Sequence, residues 1–189
     1  MGDVTTAALL DFTLNAGDDI VIRPFRQRDA QELFALTAAN RASLSEWLTW
    51  VDSITNVHDT REYLRASQRS AMEHRAFACG IFLHGTLAGA IDLHDVDWVN
   101  RHAKVGYWLG EAHRGNGIVT RAARALVEYA FDALELNRIE IRAVSANRKS
   151  CAVAERLGFR LEGTLRKRIF LRGTFNDYAV YGALSEDWQ

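Results

Sequence analysis

The chain has 189 residues, 48% of them hydrophobic and 25% charged, with a formal net charge of −1 and a pI near 6.6. Such a chain suits one globular domain whose core needs no disulfide or metal to hold it. The near-neutral charge excludes a general nucleic-acid binder, and the lack of any apolar run of ~20 residues excludes a membrane helix.

Residues 1–17 are small and polar and read as an N-terminal tail, with residues 18–189 forming a single domain. No basic start leads into an apolar stretch, so no signal peptide is expected and a cytoplasmic protein is. Ile20 to Phe25 is β-branched and apolar, a first strand, with Pro24 near its end where a missing N–H is tolerated. Asp29 reads as the N-cap of a helix carrying Leu33, Phe34 and Leu36. A second helical piece holds Leu44, Trp47 and Leu48. A third starts near Asp59 and carries Tyr63, Leu64, Ala71 and Met72 at helical spacing.

Phe77 to Leu83 is almost continuously apolar, as in a strand covered on both faces. His84-Gly85-Thr86 turns the chain into a second strand, Leu87 to Leu93, to make a hairpin. Val105 to Leu109 is a further strand, where Gly106 marks a bulge or a close backbone approach. An amphipathic helix follows with Ile118, Ala122, Leu126, Tyr129 and Ala133 on one stripe. Ile139, Ile141 and Ala143 then alternate with Arg138, Glu140 and Arg142, a half-buried strand. Asn147 to Leu157 is a helix closed by Gly158, and two long strands meet around Arg172-Gly173-Thr174. The order predicts an α/β (α+β) fold: a mixed, largely antiparallel sheet of about seven strands flanked by helices.

Cys79 and Cys151 form no spaced pair and, with six scattered histidines, no zinc signature. Both read as small core residues in a reducing compartment, and no metal is expected.

The junction Arg114-Gly115-Asn116-Gly117 between strand and helix carries the chemical signal. Its glycines allow a tight turn with amides close to an anion, and the helix adds unpaired N–H donors and the positive end of its dipole. A phosphate cradle and a plain helix-starting turn are both open on these four residues alone. Neither the Walker nor the Rossmann glycine pattern is present.

Taken together, Gly106-Tyr107-Trp108-Leu109, Arg114-Gly115-Asn116-Gly117-Ile118, Leu136-Asn137-Arg138, Asn147-Arg148-Lys149-Ser150 and Arg156-Leu157-Gly158-Phe159 occur in an order that resembles the GNAT superfamily. The likeness is greatest to its Rim-type branch, which acetylates N-termini of ribosomal proteins, and it spans Ile20 to the C-terminus. It implies an acetyl-CoA-dependent N-acetyltransferase with a splayed strand pair at the cofactor site. Arg114, Gly115, Asn116, Gly117, Ile118, Val119 and Thr120 would grip the pyrophosphate. Val119 stands where the pattern usually has Gly or Ala, at a place where only main chain faces the phosphates. Tyr107, Trp108 and Leu109 would bind the pantetheine arm through their backbone. Asn147 and Ser150 would face the cofactor, with Ser150 protonating the leaving thiolate, because Ala154 stands where many relatives carry a tyrosine. Read without the resemblance, Asn147 is an ordinary N-cap and Ser150 a first-turn serine.

The base is less directly marked. Lys104 and Ile169 stand where the resemblance leads one to expect carboxylates. Asp92, His94 and Asp95 remain near the expected site, and His94 is the choice for its pKa of ~6.5. A surface histidine at a strand end and a proton-relaying water chain are the alternatives. A site without a strong base favours an α-amine (pKa ~7.7–8) over a lysine amine (~10.4), since more of the former is neutral near pH 7. Trp47 and Trp50 both fall in the segment that lines the acceptor groove in the superfamily; core packing is the alternative for both, and the preferred one for Trp47. Arg166-Lys167-Arg168 reads as a solvated or edge-guarding run.

The leading expectation is therefore acetylation of a protein N-terminus, such as that of a ribosomal protein. The alternatives are a polyamine or aminoglycoside acetyltransferase using Asp92, Asp95 and Asp97, and a non-catalytic acyl-CoA-binding module. The resemblance also allows a homodimer through the C-terminal strands.

Overall fold

The computed structural model describes residues 12–188, so residues 1–11 of the expected tail lie outside the described residues. Eight strands form one mixed sheet: β1 Leu14–Asn15, β2 Ile20–Pro24, β3 Phe77–Leu83, β4 Thr86–Asp97, β5 His102–Leu109, β6 Arg138–Val144, β7 Arg160–Leu171 and β8 Thr174–Leu184. Their order across the sheet is β1-β2-β3-β4-β5-β6-β8-β7. The helices are α1 Ala30–Ala39, α2 Arg41–Leu44, α3 Val57–Met72, α4 Ile118–Asp132 and α5 Arg148–Arg156.

The strand beyond the expected seven comes from the end of the segment read as a tail. Leu14 and Asn15 pair with Ile22 and Val21, and Phe12 is buried with its ring stacked on Tyr129 at 4.7 Å. Only two apolar side chains mark that stretch, too few for a periodicity to show.

All pairings are antiparallel except that of β5 with β6. Parallel neighbours need a crossover, and α4 supplies it. Its buried stripe of Ala122, Leu126, Val127 and Ala130 packs in one core with Ala103 and Val105 of β5 and Ile139 and Ile141 of β6. On the opposite face, Phe25, Leu33, Leu64, Phe82 and Leu87 form a smaller core between α1, α3 and the hairpin. The parallel ladder runs from His102↔Arg138 to Val105↔Ile141 and stops, although both strands continue. Beyond that point β5 and β6 diverge, and a cleft opens between them.

Local chemistry fixes the helix starts. Asn56 caps α3, accepting from the amides of His58 and Asp59, while the Asp59 carboxylate accepts from the Asn56 amide. Asp29 does stand at the N-cap of α1, but its side chain does not cap that helix. It accepts two hydrogen bonds from Arg23, at 2.8 and 2.9 Å, and one from the Arg26 amide at 2.7 Å. The second predicted helix is only the four residues of α2; Trp47 and Leu48 lie in the turns after it.

Candidate active site

Gly106, Tyr107, Trp108 and Leu109 make up the part of β5 past the end of the parallel ladder. Tyr107 and Trp108 line a cavity of about 430 Å3 in the cleft, together with His94, Asn147 and Ser150. Of the catalytic and cofactor-binding residues singled out in the sequence, the cavity gathers these five, and Leu109 and the turn from Arg114 to Thr120 lie outside its lining. Leu109 is buried at the strand end, with its carbonyl accepting from the Arg114 guanidinium at 3.1 and 3.2 Å.

That contact turns the Arg114 side chain back into the protein, where it also donates to Ser43 Oγ at 3.1 Å. Arg114 therefore ties the turn down. Gly115 and Gly117 have φ of +87° and +70°, in the left-handed region that disfavours side chains, and Gly117 is the N-cap of α4. Gly115, Asn116 and Gly117 are exposed while Ile118 is buried, so the turn is open outside and anchored inside. The first turn of α4 contains no acidic residue and its N-cap offers no side-chain acceptor. Its leading amides have no intrahelical partner, and the Thr120 hydroxyl is buried with none either. Backbone and dipole make this turn fit for a phosphate group.

Asn147 caps α5 with its side-chain oxygen on the Ser150 amide at 3.2 Å. The Tyr107 phenol donates to the Ser150 carbonyl at 3.0 Å, and the Ser150 hydroxyl lies 3.4 Å from that phenol oxygen. Burial pushes the Tyr107 phenol up to about 12, so it stays protonated near neutrality. The sequence offered Tyr107 only as backbone, and nothing in its spacing marks the contact with a helix 43 residues later.

Asp92, His94 and their neighbours Gly106 and Lys104 share one face of the sheet, paired as Asp92↔Gly106 and His94↔Lys104. Asp92 Oδ1 and His94 Nδ1 are 2.6 Å apart, and the Gly106 amide donates to the same oxygen at 3.2 Å. Gly106 thus marks a close approach: a Cβ there would lie 2.9 Å from Asp92 Oδ1 and 3.4 Å from the His94 ring. Burial lowers the His94 pKa, but the hydrogen bond and charge of Asp92, helped by Asp95, outweigh it, and the net shift is upward. With Nδ1 engaged by a carboxylate, Nε2 is the nitrogen left for other chemistry.

Of the three aspartates offered for a polyamine site, Asp92 and Asp95 line the cavity and Asp97 does not. Asp95 pairs with Lys104 at 2.7 Å. Asp97 accepts from Val99, Asn100 and the Asn100 side chain, closing a turn. Trp47, expected in the core, instead lines the cavity with Trp50. The Arg166-Lys167-Arg168 run sits on the edge strand at a register shift between Leu165 and Ile169, which turns Arg168 into the cavity wall.

Residues 19–160 match the family model described as acetyltransferase (GNAT) domain. A Bacillus subtilis (strain 168) protein, provisionally named ribosomal N-acetyltransferase YdaF, is 36% identical over 94% of this chain and 98% of its own. The ribosomal-protein-serine acetyltransferase of Escherichia coli (strain K12) is 28% identical over 91% of this chain and 96% of its own. Among solved structures, RimL, a ribosomal L7/L12 alpha-N-protein acetyltransferase in complex with coenzyme A, is similar with a TM-score of 0.89 at 25% identity, over 92% of this chain and 98% of that one.

Proposed function

Because this chain belongs to the GNAT acetyltransferase family, as an acetyl-CoA-dependent N-acetyltransferase of the Rim type, we propose that its acceptor is the α-amine of a protein N-terminus, such as that of a ribosomal protein. The observation that carries this reading is the Asp92–His94 pair in the cleft between the diverging strands. Acetyl-CoA supplies the activated acetyl group. The amides of Gly115 to Thr120 hold its pyrophosphate, the backbone of Tyr107 to Leu109 aligns its pantetheine arm, and Asn147 fixes the start of α5 beside it. Arg114 contributes by bracing the turn.

His94 Nε2 takes the proton of the attacking amine, while Asp92 holds Nδ1–H and stabilises the imidazolium that forms. An imidazole is a modest base, matched to an α-amine that is already partly neutral near pH 7.5. The Ser150 hydroxyl delivers a proton to the departing thiolate and regains one from water in the open cleft, and the Tyr107 phenol keeps that hydroxyl in place. No metal takes part in this scheme. The pairing of Asp95 with Lys104 inside the cavity, and the use of Asp97 to close its own turn, speak against a polyamine acceptor. Two free, buried cysteines fit work in the reducing cytoplasm. A homodimer through the exposed β7 edge completes the reading.

The test is thiol release from acetyl-CoA with peptides bearing free N-termini, with polyamines and with aminoglycosides. Turnover on peptides, abolished by blocking the α-amine but not lysine side chains, is expected. Turnover on polyamines alone would overturn the choice of acceptor. Tight acetyl-CoA binding with no turnover on any amine would favour a binding module instead.

A further inference from the structure

A second cavity of about 360 Å3 lies beside the first, on the same face of the sheet. Trp50, Asp92 and Trp108 belong to the walls of both, so an amine held at Asp92 and His94 sits at its entrance. Its floor is Ala90 and Ile91 of β4; Leu33 and Thr37 of α1 and Thr60 and Tyr63 of α3 roof it. Ile54, in the loop before α3, closes one side, and Arg41 fixes that loop by donating to the carbonyls of Val51, at 2.5 Å, and Ile54.

The lining is mostly hydrocarbon and aromatic, with the Asp92 carboxylate, which an amine would face, at the entrance. The volume lies within the range of small-molecule sites and far exceeds what a methyl or hydroxymethyl group fills.

We propose that this second cavity receives the side chain of the acceptor, so that the preferred acceptor is an α-amine on a residue with a bulky apolar side chain, of leucine or phenylalanine size, and not on a small residue such as serine or alanine. The proposal rests on the amine-acetylating reading of the Asp92–His94 site and deepens it. The amine stands at Asp92 and His94, and the apolar group displaces water from the aromatic walls. A serine would leave those walls wet. Each methylene matched by an apolar pocket changes kcat/KM by about tenfold or more.

The experiment compares peptides identical except for N-terminal Phe, Leu, Ala or Ser. Wild-type protein should use the Phe and Leu peptides at least about tenfold better than the Ser peptide in kcat/KM. Two variants fill the cavity from different elements: Thr60→Leu from α3, and Ile54→Trp from the loop, where a larger side chain threatens the fold least. Each should cut the Phe-to-Ser ratio by about tenfold, mainly through KM, with coenzyme A binding as the check on folding. Binding of phenylalanine amide, followed by the fluorescence of Trp50 and Trp108, gives a readout without turnover. Equal or better use of Ser and Ala, with a ratio insensitive to filling, overturns the proposal and leaves N-terminal acetylation standing. Binding of the amide, weakened by Ile54→Trp but with no turnover on any amine, supports the cavity's role and sinks the transfer reading. Neither turnover nor binding overturns both.

Discussion

At the residue scale the Asp92–His94 pair makes the sharpest claim, because its electrostatics predict a pH dependence of definite sign. Asp92 raises the His94 pKa, so the acid limb of kcat/KM should lie above that of an ordinary imidazole (~6.5). In Asp92→Asn the raising hydrogen bond and charge are lost, and the limb should move to lower pH while the plateau falls. His94→Gln should lower kcat by about 10²–10⁴-fold with little change in acetyl-CoA binding. An unmoved limb in Asp92→Asn would count against His94 as the base. Ser150→Ala should also lower kcat, and Tyr107→Phe less so if the phenol only positions the hydroxyl, as the 3.4 Å separation of their oxygens suggests. Single-turnover kinetics would separate these effects on chemistry from effects on product release. His94 was legible in the sequence as a titratable group near a strand end. Its partner could have been read too, since residues two apart on a strand share a face. Tyr107 could not, because that contact is made by the docking of α5 against β5.

At the scale of elements, backbone geometry and one ion pair decide the outcome. Gly117 starts α4 at φ +70°, so Gly117→Ala carries a left-handed strain of about 1–2 kcal/mol. It should also raise the KM for acetyl-CoA, because the amides at that turn would be displaced. A normal KM in the folded variant would argue against the cradle. Asp29 is a different case: the sequence marked it as a cap, and the fold uses it to join β2 to the start of α1 through Arg23 and Arg26. Burial raises the Asp29 pKa, but the Arg23 hydrogen bonds and charge outweigh that, and the net shift is downward. A depressed pKa contributes stability above the unfolded value of ~3.9 that is lost as pH falls through the folded value. Asp29→Asn should therefore cost about 2 kcal/mol near neutrality, roughly 4–8 °C in Tm for a chain of this size. The gap to wild type should narrow as pH drops below about 4. A gap independent of pH would mean that packing, not charge, sets the loss.

For the whole molecule, what the sequence revealed follows from the range of the interactions. Periodicity exposed the strands and helices that bury one clear face, such as α4, and the alternation of β6 placed Ile139 and Ile141 in the core. It did not expose β1, held by two residues of pairing, nor the second cavity, whose walls come from α1, α3, β4, β5 and the loop before α3. The sheet's far edge raises the last question of scale. β7 is an edge strand, and Leu161, Phe170 and Phe175 on the β7–β8 hairpin are 54–60% exposed. An apolar edge invites pairing with another chain unless charge guards it, and Arg166-Lys167-Arg168 guards only its middle. Covering those side chains by a second copy would remove apolar area from water at about 25 cal/mol per Å2. Light scattering on wild-type protein should then give a dimer mass, and Phe170→Glu with Phe175→Glu should shift it towards a monomer while α4 and its turn still bind acetyl-CoA. A monomeric wild type at tens of micromolar would show that the edge is guarded well enough alone.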